Sequence, residues 1–130
     1  MITEELIQRY FDAFNRHDAE GLLATLSDDV IHDINEGPTE VGIEAFLKFK
    51  AHMDQCYREQ ITDLVIMTNG EHGAAKFTCS GEYLATDGNL PPATGQTYAI
   101  QAAAIFEVKD GKIQRVTSYY NLAEWLKAIA

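Results

Sequence analysis

The chain has 130 residues, 46% of them apolar, and its 20 acidic against 10 basic side chains give a formal net charge of −10. This length suits one domain that buries roughly two-thirds of its extended-chain surface. We therefore predict a single domain over residues 1–130. The acidic balance argues against nucleic acid and anionic membranes as partners, because both require a basic surface.

Neither a leader nor a membrane span is predicted. The first residues, Met1 to Glu5, are acidic and lack the basic-then-apolar order of a signal peptide. No apolar run approaches the roughly 18 residues of a membrane-spanning helix. Cys56 and Cys79 have neither metal-site spacing nor the density of a disulfide framework. We therefore predict free thiols and a cytoplasmic location.

The first half of the chain is predicted to be mainly helical. Apolar residues recur at helical spacing from Leu6 to Phe14, with Thr3 as a candidate N-cap. Asp18 is predicted to cap a second helix that ends at residues 27–29. A short strand, Val30 to Ile34, and a loop follow. Apolar side chains then mark a third helix, namely Ile43, Phe46, Leu47 and Met53.

The second half is predicted to be extended, with strands over Ile61 to Thr68 and Ala74 to Ala85. The irregular segment Thr86 to Gly95 is the best candidate for a mobile rim or a dimer contact. Asp110-Gly111 suits a tight hairpin turn. Its arms are predicted over Thr97 to Lys109 and Lys112 to Tyr120. A short closing helix is predicted from Leu122, Trp125, Leu126 and Ile129.

The first arm of the hairpin has an unusual inner face. Alternation places Tyr98, Ile100, Ala102, Ala104 and Phe106 on one side of the strand. Small alanine side chains leave space that a helix or a ligand must fill. Helices followed by antiparallel strands predict an α+β fold. We expect a cone-shaped barrel of three N-terminal helices on a curved antiparallel sheet, with a short C-terminal helix and a conical space for a ligand.

Two sets of residues resemble one superfamily over nearly the whole chain. The beginning is similar to the steroid Δ-isomerases, and the terminal hairpin is similar to that of the nuclear transport factor 2 and SnoaL-like proteins. The residues that carry the resemblance are Gln8-Arg9-Tyr10, Asn15, Asp18, Gly21, Asp28-Asp29, Phe106 to Ile113 and Tyr119-Tyr120. The pattern is specific for the fold and weak for the reaction, because this superfamily hosts isomerases, cyclases, epoxide hydrolases and catalytically silent domains.

The resemblance implies that steroid isomerisation itself is not to be expected. The isomerases need a carboxylate base and two hydrogen-bond donors for the enolate oxygen. Tyr10 aligns with one donor. The second donor position is Ala104 and the base position is Ile34. A methyl group can neither donate a hydrogen bond nor accept a proton.

The resemblance also sets the strand register and thereby a predicted pocket. Its lining would comprise Phe14, Ile34, Phe77, Cys79, Gly81, Ala102, Ala104, Val116, Ser118 and Tyr120. His32 shares strand parity with Ile34 and should also point inward. Tyr10 and His32 are then the candidate catalytic residues, as oxyanion donor and as a proton-transfer base suited to neutral pH. The alternatives are a structural core tyrosine and a satisfied buried histidine.

No metal or cofactor is expected. Neighbouring residues among His32-Asp33-Asn35-Glu36 would point to opposite faces of a strand, which argues against a shared ion. The function predicted is binding of an apolar ring-containing or polyketide-like molecule. Cofactor-independent isomerase or cyclase chemistry next to a carbonyl would be its enzymatic form. The alternative is a non-catalytic ligand-binding or dimerisation domain. The resemblance further implies a homodimer formed through the outer sheet face.

Overall fold

A computed structural model describes residues 2–130 of the protein. The chain begins with α1 (Thr3–Asn15) and α2 (Ala19–Leu23). The Asp18 side chain accepts a hydrogen bond from the Gly21 backbone N–H, which confirms it as the N-cap of α2. The predicted cap at Thr3 is wrong. Ile2 occupies the cap position, and the Thr3 hydroxyl donates to the Gly70 carbonyl instead, at 2.7 Å.

The second helix is shorter than predicted, because Leu26 already belongs to a strand. The strands β1 (Leu26–Ile34) and β2 (Thr39–Val41) form an antiparallel pair, and α3 (Ile43–Cys56) follows them. Leu26 and Val30 are buried on the inner face of β1. Pairing of β1 with a neighbouring strand outweighs the helical spacing of the leucines.

Four further strands and a helix complete the chain. They are β3 (Tyr57–Asn69), β4 (His72–Tyr83), β5 (Thr97–Lys109), β6 (Lys112–Tyr120) and α4 (Leu122–Ile129). The predicted hairpin arms coincide with β5 and β6, and positive φ angles at Asp110 and Gly111 close the turn. The prediction for β3 began four residues late, because the strand extends directly from the end of α3.

The six strands form one sheet in the order β2-β1-β6-β5-β4-β3. The pair β1–β6 is parallel and every other neighbouring pair is antiparallel, so the sheet is mixed. A bulge after Thr62, with Asp63 at φ 56°, interrupts the β3–β4 register. Bulges of this kind bend a strand and increase its twist. Helices packed on a curved sheet confirm the predicted α+β cone with its short C-terminal helix.

The interior is built from two apolar clusters. The larger one packs α1 and α3 against the sheet around Phe11, Phe46 and Phe106. The smaller one joins β3, β4, β5 and α4 around Tyr83, Tyr98 and Ile129. Within residues 2–130, no helix is long and apolar enough to cross a membrane.

Candidate functional site

A cavity of about 350 Å³ lies between the helices and the inner face of the sheet. This volume is within the range of small-molecule sites, which are typically apolar with a few convergent polar groups. Ala102 and Ala104 contribute methyl groups to its wall, as the hairpin pattern predicted. Trp125 lines the cavity without filling it, and its ring contacts Tyr57, Tyr98 and Tyr120.

The structure brings most of the predicted site residues to this wall. Both candidate catalytic residues line it, together with Phe14, Ile34, Phe77, Cys79, Ala102, Ala104, Val116, Ser118 and Tyr120. Gly81 is the exception. A Cβ atom at Gly81 would lie 2.2 Å from Cζ of Tyr98, so the Tyr98 ring covers this glycine and separates it from the cavity.

Tyr10 lies on α1, directly before the buried Phe11, and its side chain reaches the cavity. Its ring makes edge contacts with Phe11 at 5.2 Å and with Phe106 at 5.4 Å between ring centroids. Burial raises the pKa of the Tyr10 hydroxyl far above its ordinary value, and no hydrogen bond within residues 2–130 contributes to that shift. Tyr10 is therefore a neutral donor at physiological pH.

His32 reaches the cavity from β1, on the same face as Val30 and Ile34. It is 6% exposed and lies between Phe46 and Phe49 of α3, with ring centroids 4.9 and 4.8 Å away. Burial lowers its pKa to about 4, although the neighbouring Asp33 charge acts in the opposite direction. At neutral pH the ring is therefore uncharged.

The burial of one ring nitrogen indicates the tautomer of His32. Its Nδ1 atom is buried and has no hydrogen-bond partner within residues 2–130. An orphaned buried N–H group costs more than an orphaned acceptor, which favours a bare Nδ1 and a proton on Nε2. In that form the imidazole is a hydrogen-bond donor through Nε2.

Glu59 is a site residue that the sequence prediction missed. It lies on β3 between Tyr57 and Ile61, and these three residues share the inner face of the strand. The Tyr98 hydroxyl donates a hydrogen bond to Oε2 of Glu59 at 2.5 Å, and Glu59 lines the cavity. The alternation of Tyr57, Glu59 and Ile61 was a usable signal. It was lost because the strand was predicted to begin at Ile61.

The charge of Glu59 affects the groups around it. Burial raises the pKa of the Cys79 thiol far above its ordinary value, and the nearby Glu59 carboxylate raises it further. Burial also raises the pKa of the Tyr120 hydroxyl, and the Glu59 carboxylate acts in the same direction. Cys79 is thus a neutral thiol and a poor nucleophile. Glu59 is the carboxylate around which the polar part of the cavity is arranged.

A second acidic group, Asp87, lines the cavity from the segment between β4 and β5. The Tyr57 hydroxyl donates to its Oδ2 at 2.6 Å, and Nε2 of His52 lies 2.7 Å from its Oδ1. The segment predicted to be a mobile rim or a dimer contact is thereby attached to α3 and β3 at the cavity edge.

Asp33 and Arg115 lie on the opposite face of the sheet. Arg115 donates through Nε and Nη2 to the two carboxylate oxygens of Asp33, at 2.7 and 3.1 Å. This hydrogen bonding, with further donors Thr117 and Thr39, holds the pKa of Asp33 well below its usual range. His32 therefore points inward and Asp33 points outward, as the alternation of side chains along the strand predicted.

A family model described as a SnoaL-like domain matches residues 7–116. A putative polyketide cyclase from Pseudomonas putida KT2440 is 48% identical, with a TM-score of 0.98 over 100% of this chain and 99% of that one. Another from Silicibacter sp. TM1040 is 50% identical, with a TM-score of 0.95 over 98% and 94% of the two chains.

More distant structures share the fold alone. A nuclear-transport-factor-2-like protein of unknown function from Burkholderia pseudomallei K96243 is 17% identical, with a TM-score of 0.84 over 98% of this chain and 96% of that one. No curated protein matches the sequence. The match to the family model covers most of the chain and the superposition extends over the whole fold. The chain belongs to the SnoaL-like domain family.

Proposed function

We propose that this protein binds a neutral, ring-containing or polyketide-like ketone in its cavity and transfers a proton next to the carbonyl group without a cofactor. The observation that carries the proposal is the Glu59 carboxylate, which lines the same apolar cavity as the donors Tyr10 and His32. A base and two donors are the parts that enolisation needs. The similar proteins described as polyketide cyclases are consistent with such a ligand.

Glu59 is assigned the role of base. Its carboxylate would take a proton from the carbon next to the carbonyl and return it to the same or another carbon. The hydrogen bond from Tyr98 orients the carboxylate through one oxygen, Oε2. Tyr98 is thus a positioning residue, since it acts through Glu59. The isomerase base position, Ile34, is not needed in this arrangement.

Tyr10 and His32 are assigned the role of donors to the enolate oxygen. A neutral imidazole with a proton on Nε2 can stabilise developing negative charge by donating a hydrogen bond. This role replaces the one predicted for His32 from the sequence, because a group with a pKa of about 4 is a weak base at neutral pH. Charge stabilisation of this kind is typically worth about 10²- to 10³-fold in rate for each donor.

The experiment uses 1-indanone as a small ring ketone and follows deuterium incorporation next to its carbonyl by NMR in D₂O. We expect the wild-type protein to accelerate exchange above the buffer rate. Glu59→Gln should lower the accelerated rate by about 10²- to 10⁴-fold, because it removes the base. Glu107→Gln is the matched control, since Glu107 is an exposed carboxylate on the outer face of β5.

Ligand binding is measured separately by calorimetry with substituted 2-naphthols, which resemble an enolate when ionised. Affinity should rise with naphthol acidity in the wild type and become less sensitive to acidity in Tyr10→Phe. Binding without any catalysed exchange would contradict the enzymatic proposal and favour the alternative, a non-catalytic carrier domain. Exchange that is equally fast in Glu59→Gln would remove Glu59 from the mechanism.

A further inference from the structure

Three metal-binding types of side chain meet at the edge of the cavity, where α3 approaches the segment between β4 and β5. They are His52 and Cys56 of α3 and Asp87 of that segment, and one ligand atom from each lies within 4.8 Å of the others. His52 and Cys56 are four residues apart, so they project from the same face of the helix. We propose that His52, Cys56 and Asp87 form a zinc-binding site.

The donor set suits zinc. Imidazole nitrogen, thiolate sulfur and carboxylate oxygen are the three ligand types that this ion uses, with bond lengths of about 2.0 to 2.3 Å. A tetrahedral site with those bonds separates ligand atoms by about 3.3 to 3.8 Å. Side-chain rotations would bring the three atoms to these separations, and Nε2 of His52 and Oδ1 of Asp87 would move apart from their present 2.7 Å. Thiolate, carboxylate and neutral imidazole together balance the charge of a divalent cation.

Hydrogen bonds position the groups around the three ligands. The Tyr57 hydroxyl donates to Oδ2 of Asp87 at 2.6 Å, which orients the carboxylate and leaves Oδ1 facing His52. Hydrogen bonds of this kind to a metal-binding carboxylate support metal affinity. The Cys56 carbonyl accepts hydrogen bonds from the backbone N–H groups of Leu84 and Ala85, at 2.7 and 3.3 Å. They hold the start of the Asp87 segment against the end of α3.

The cluster is open to solvent on one side and adjoins the cavity on another. Cys56 is 3% exposed, whereas the His52 side chain is 51% exposed, so an ion can approach from the His52 side. Three protein ligands leave a fourth position for water or another small molecule. Because Asp87 also lines the cavity, the three-residue cluster adjoins the ligand space. The proton transfer proposed for Glu59 requires no metal, so the two proposals can fail independently.

The test is titration of chelator-treated protein with Co²⁺, whose spectrum reports both thiolate ligation and tetrahedral geometry. We expect one equivalent to produce a thiolate-to-metal charge-transfer band, and Zn²⁺ to abolish it by displacement. Cys56→Ser should lose this band. Cys79→Ser is the matched control and should retain it, because Cys79 lies on β4 beside Glu59 and outside the cluster.

A second pair of variants tests the same site without changing the buried Cys56, whose substitution can disturb the fold. His52→Ala removes a half-exposed ligand and should weaken Co²⁺ binding by at least about 10-fold, and Asp87→Asn should do the same. Circular dichroism checks the fold of each variant. Absence of a charge-transfer band in the wild type would overturn the proposal. So would a band that persists in Cys56→Ser or an affinity unchanged in His52→Ala.

Discussion

The chemistry available to His32 is set by its burial. Its ring lies between Phe46 and Phe49 and is 6% exposed, so the protonated form loses its hydration. Asp33 neighbours it on its own strand, and the adjoining pocket wall carries further ionisable residues, namely Tyr10, His17, Lys50, Asp54, Tyr57 and Glu59. Desolvation outweighs the opposing charge of Asp33 and lowers the pKa of His32 from 6.5 to about 4.

The first prediction concerns the pH dependence of stability. Between pH 6.5 and about 4 the unfolded chain binds a proton at His32 that the folded protein does not bind. The free energy of unfolding should therefore fall as the pH is lowered through this interval. From pH 7 to 4.5 the contribution of His32 should be about 2 to 3 kcal/mol.

Urea unfolding of the wild type and of His32→Gln at these two pH values measures this contribution. The decrease in the free energy of unfolding should be smaller in His32→Gln by the stated amount. His72→Gln is the matched control, because His72 is exposed at the first position of β4 and should leave the decrease as in the wild type. Equal decreases in all three proteins would contradict the prediction.

At the scale of elements, the hydrogen bond that orients Glu59 on β3 depends on the lack of a side chain at Gly81 on β4. Cross-strand pairing aligns Glu59 with Gly81 and Gly81 with Tyr98. The Tyr98 ring extends across the strand between them and reaches Glu59, because Gly81 has no side chain in its path. Gly81 was predicted to line the pocket. The Tyr98 ring covers Gly81 instead. Tyr98 on β5 can therefore cross β4 and donate its hydrogen bond to Glu59 on β3.

The second prediction tests this crossing with a double-mutant cycle. Gly81→Ala should displace the Tyr98 ring and lower the free energy of unfolding by about 1 to 3 kcal/mol. In a Tyr98→Ala background the same substitution should cost less than about 1 kcal/mol, because the ring is absent. Urea unfolding gives the four stabilities, and near-ultraviolet circular dichroism reports the tyrosine environment. An equal cost in both backgrounds would show that the ring is not the obstacle.

At the scale of the whole molecule, the outer face of the sheet carries apolar side chains that the fold leaves uncovered. Met67 and Ile105 are 52% and 41% exposed, and Val65 and Tyr119 are 44% and 40% exposed. Register places them in two neighbouring cross-strand rows, Val65-Lys76-Ala103-Tyr119 and Met67-Ala74-Ile105-Thr117. Such a patch on a sheet is typical of an interaction surface. We propose, as the family resemblance implied, that it pairs with a second copy of the chain.

The third prediction is that the oligomeric state depends on this patch. The wild type should be a dimer in size-exclusion chromatography with light scattering. The double variant Met67→Lys/Ile105→Lys should be a monomer, because it places four cations at a symmetric interface. Naphthol binding should persist, since neither residue lines the cavity. Glu20→Lys on α2 is the control for added positive charge and should remain dimeric. A monomeric wild type would refute the proposal.

Local sequence determined the elements whose signals lie within a few residues. The turn at Asp110-Gly111, the arms of its hairpin, the cap at Asp18 and the closing helix were all predictable. Period-2 alternation along β5 also predicted the alanine wall, because a strand sends alternate side chains to one face whatever its partners are. The parallel pairing of β1 with β6 was not predictable, since it joins segments about 85 residues apart.

The residues of the candidate site also divide into those that were predictable from the sequence and those that were not. Tyr10, His32 and most of the cavity wall followed from the sequence and from the resemblance to the superfamily. Glu59, His52 and Asp87 did not, because their significance depends on partners brought together by folding. Tyr98 meets Glu59 across 39 residues of sequence, and Asp87 meets His52 across 35. The sequence by itself determined how side chains alternate between the two faces of the predicted strands, through local periodicity. Only the tertiary structure decided which of them meet and what burial does to their protons, because both depend on long-range packing.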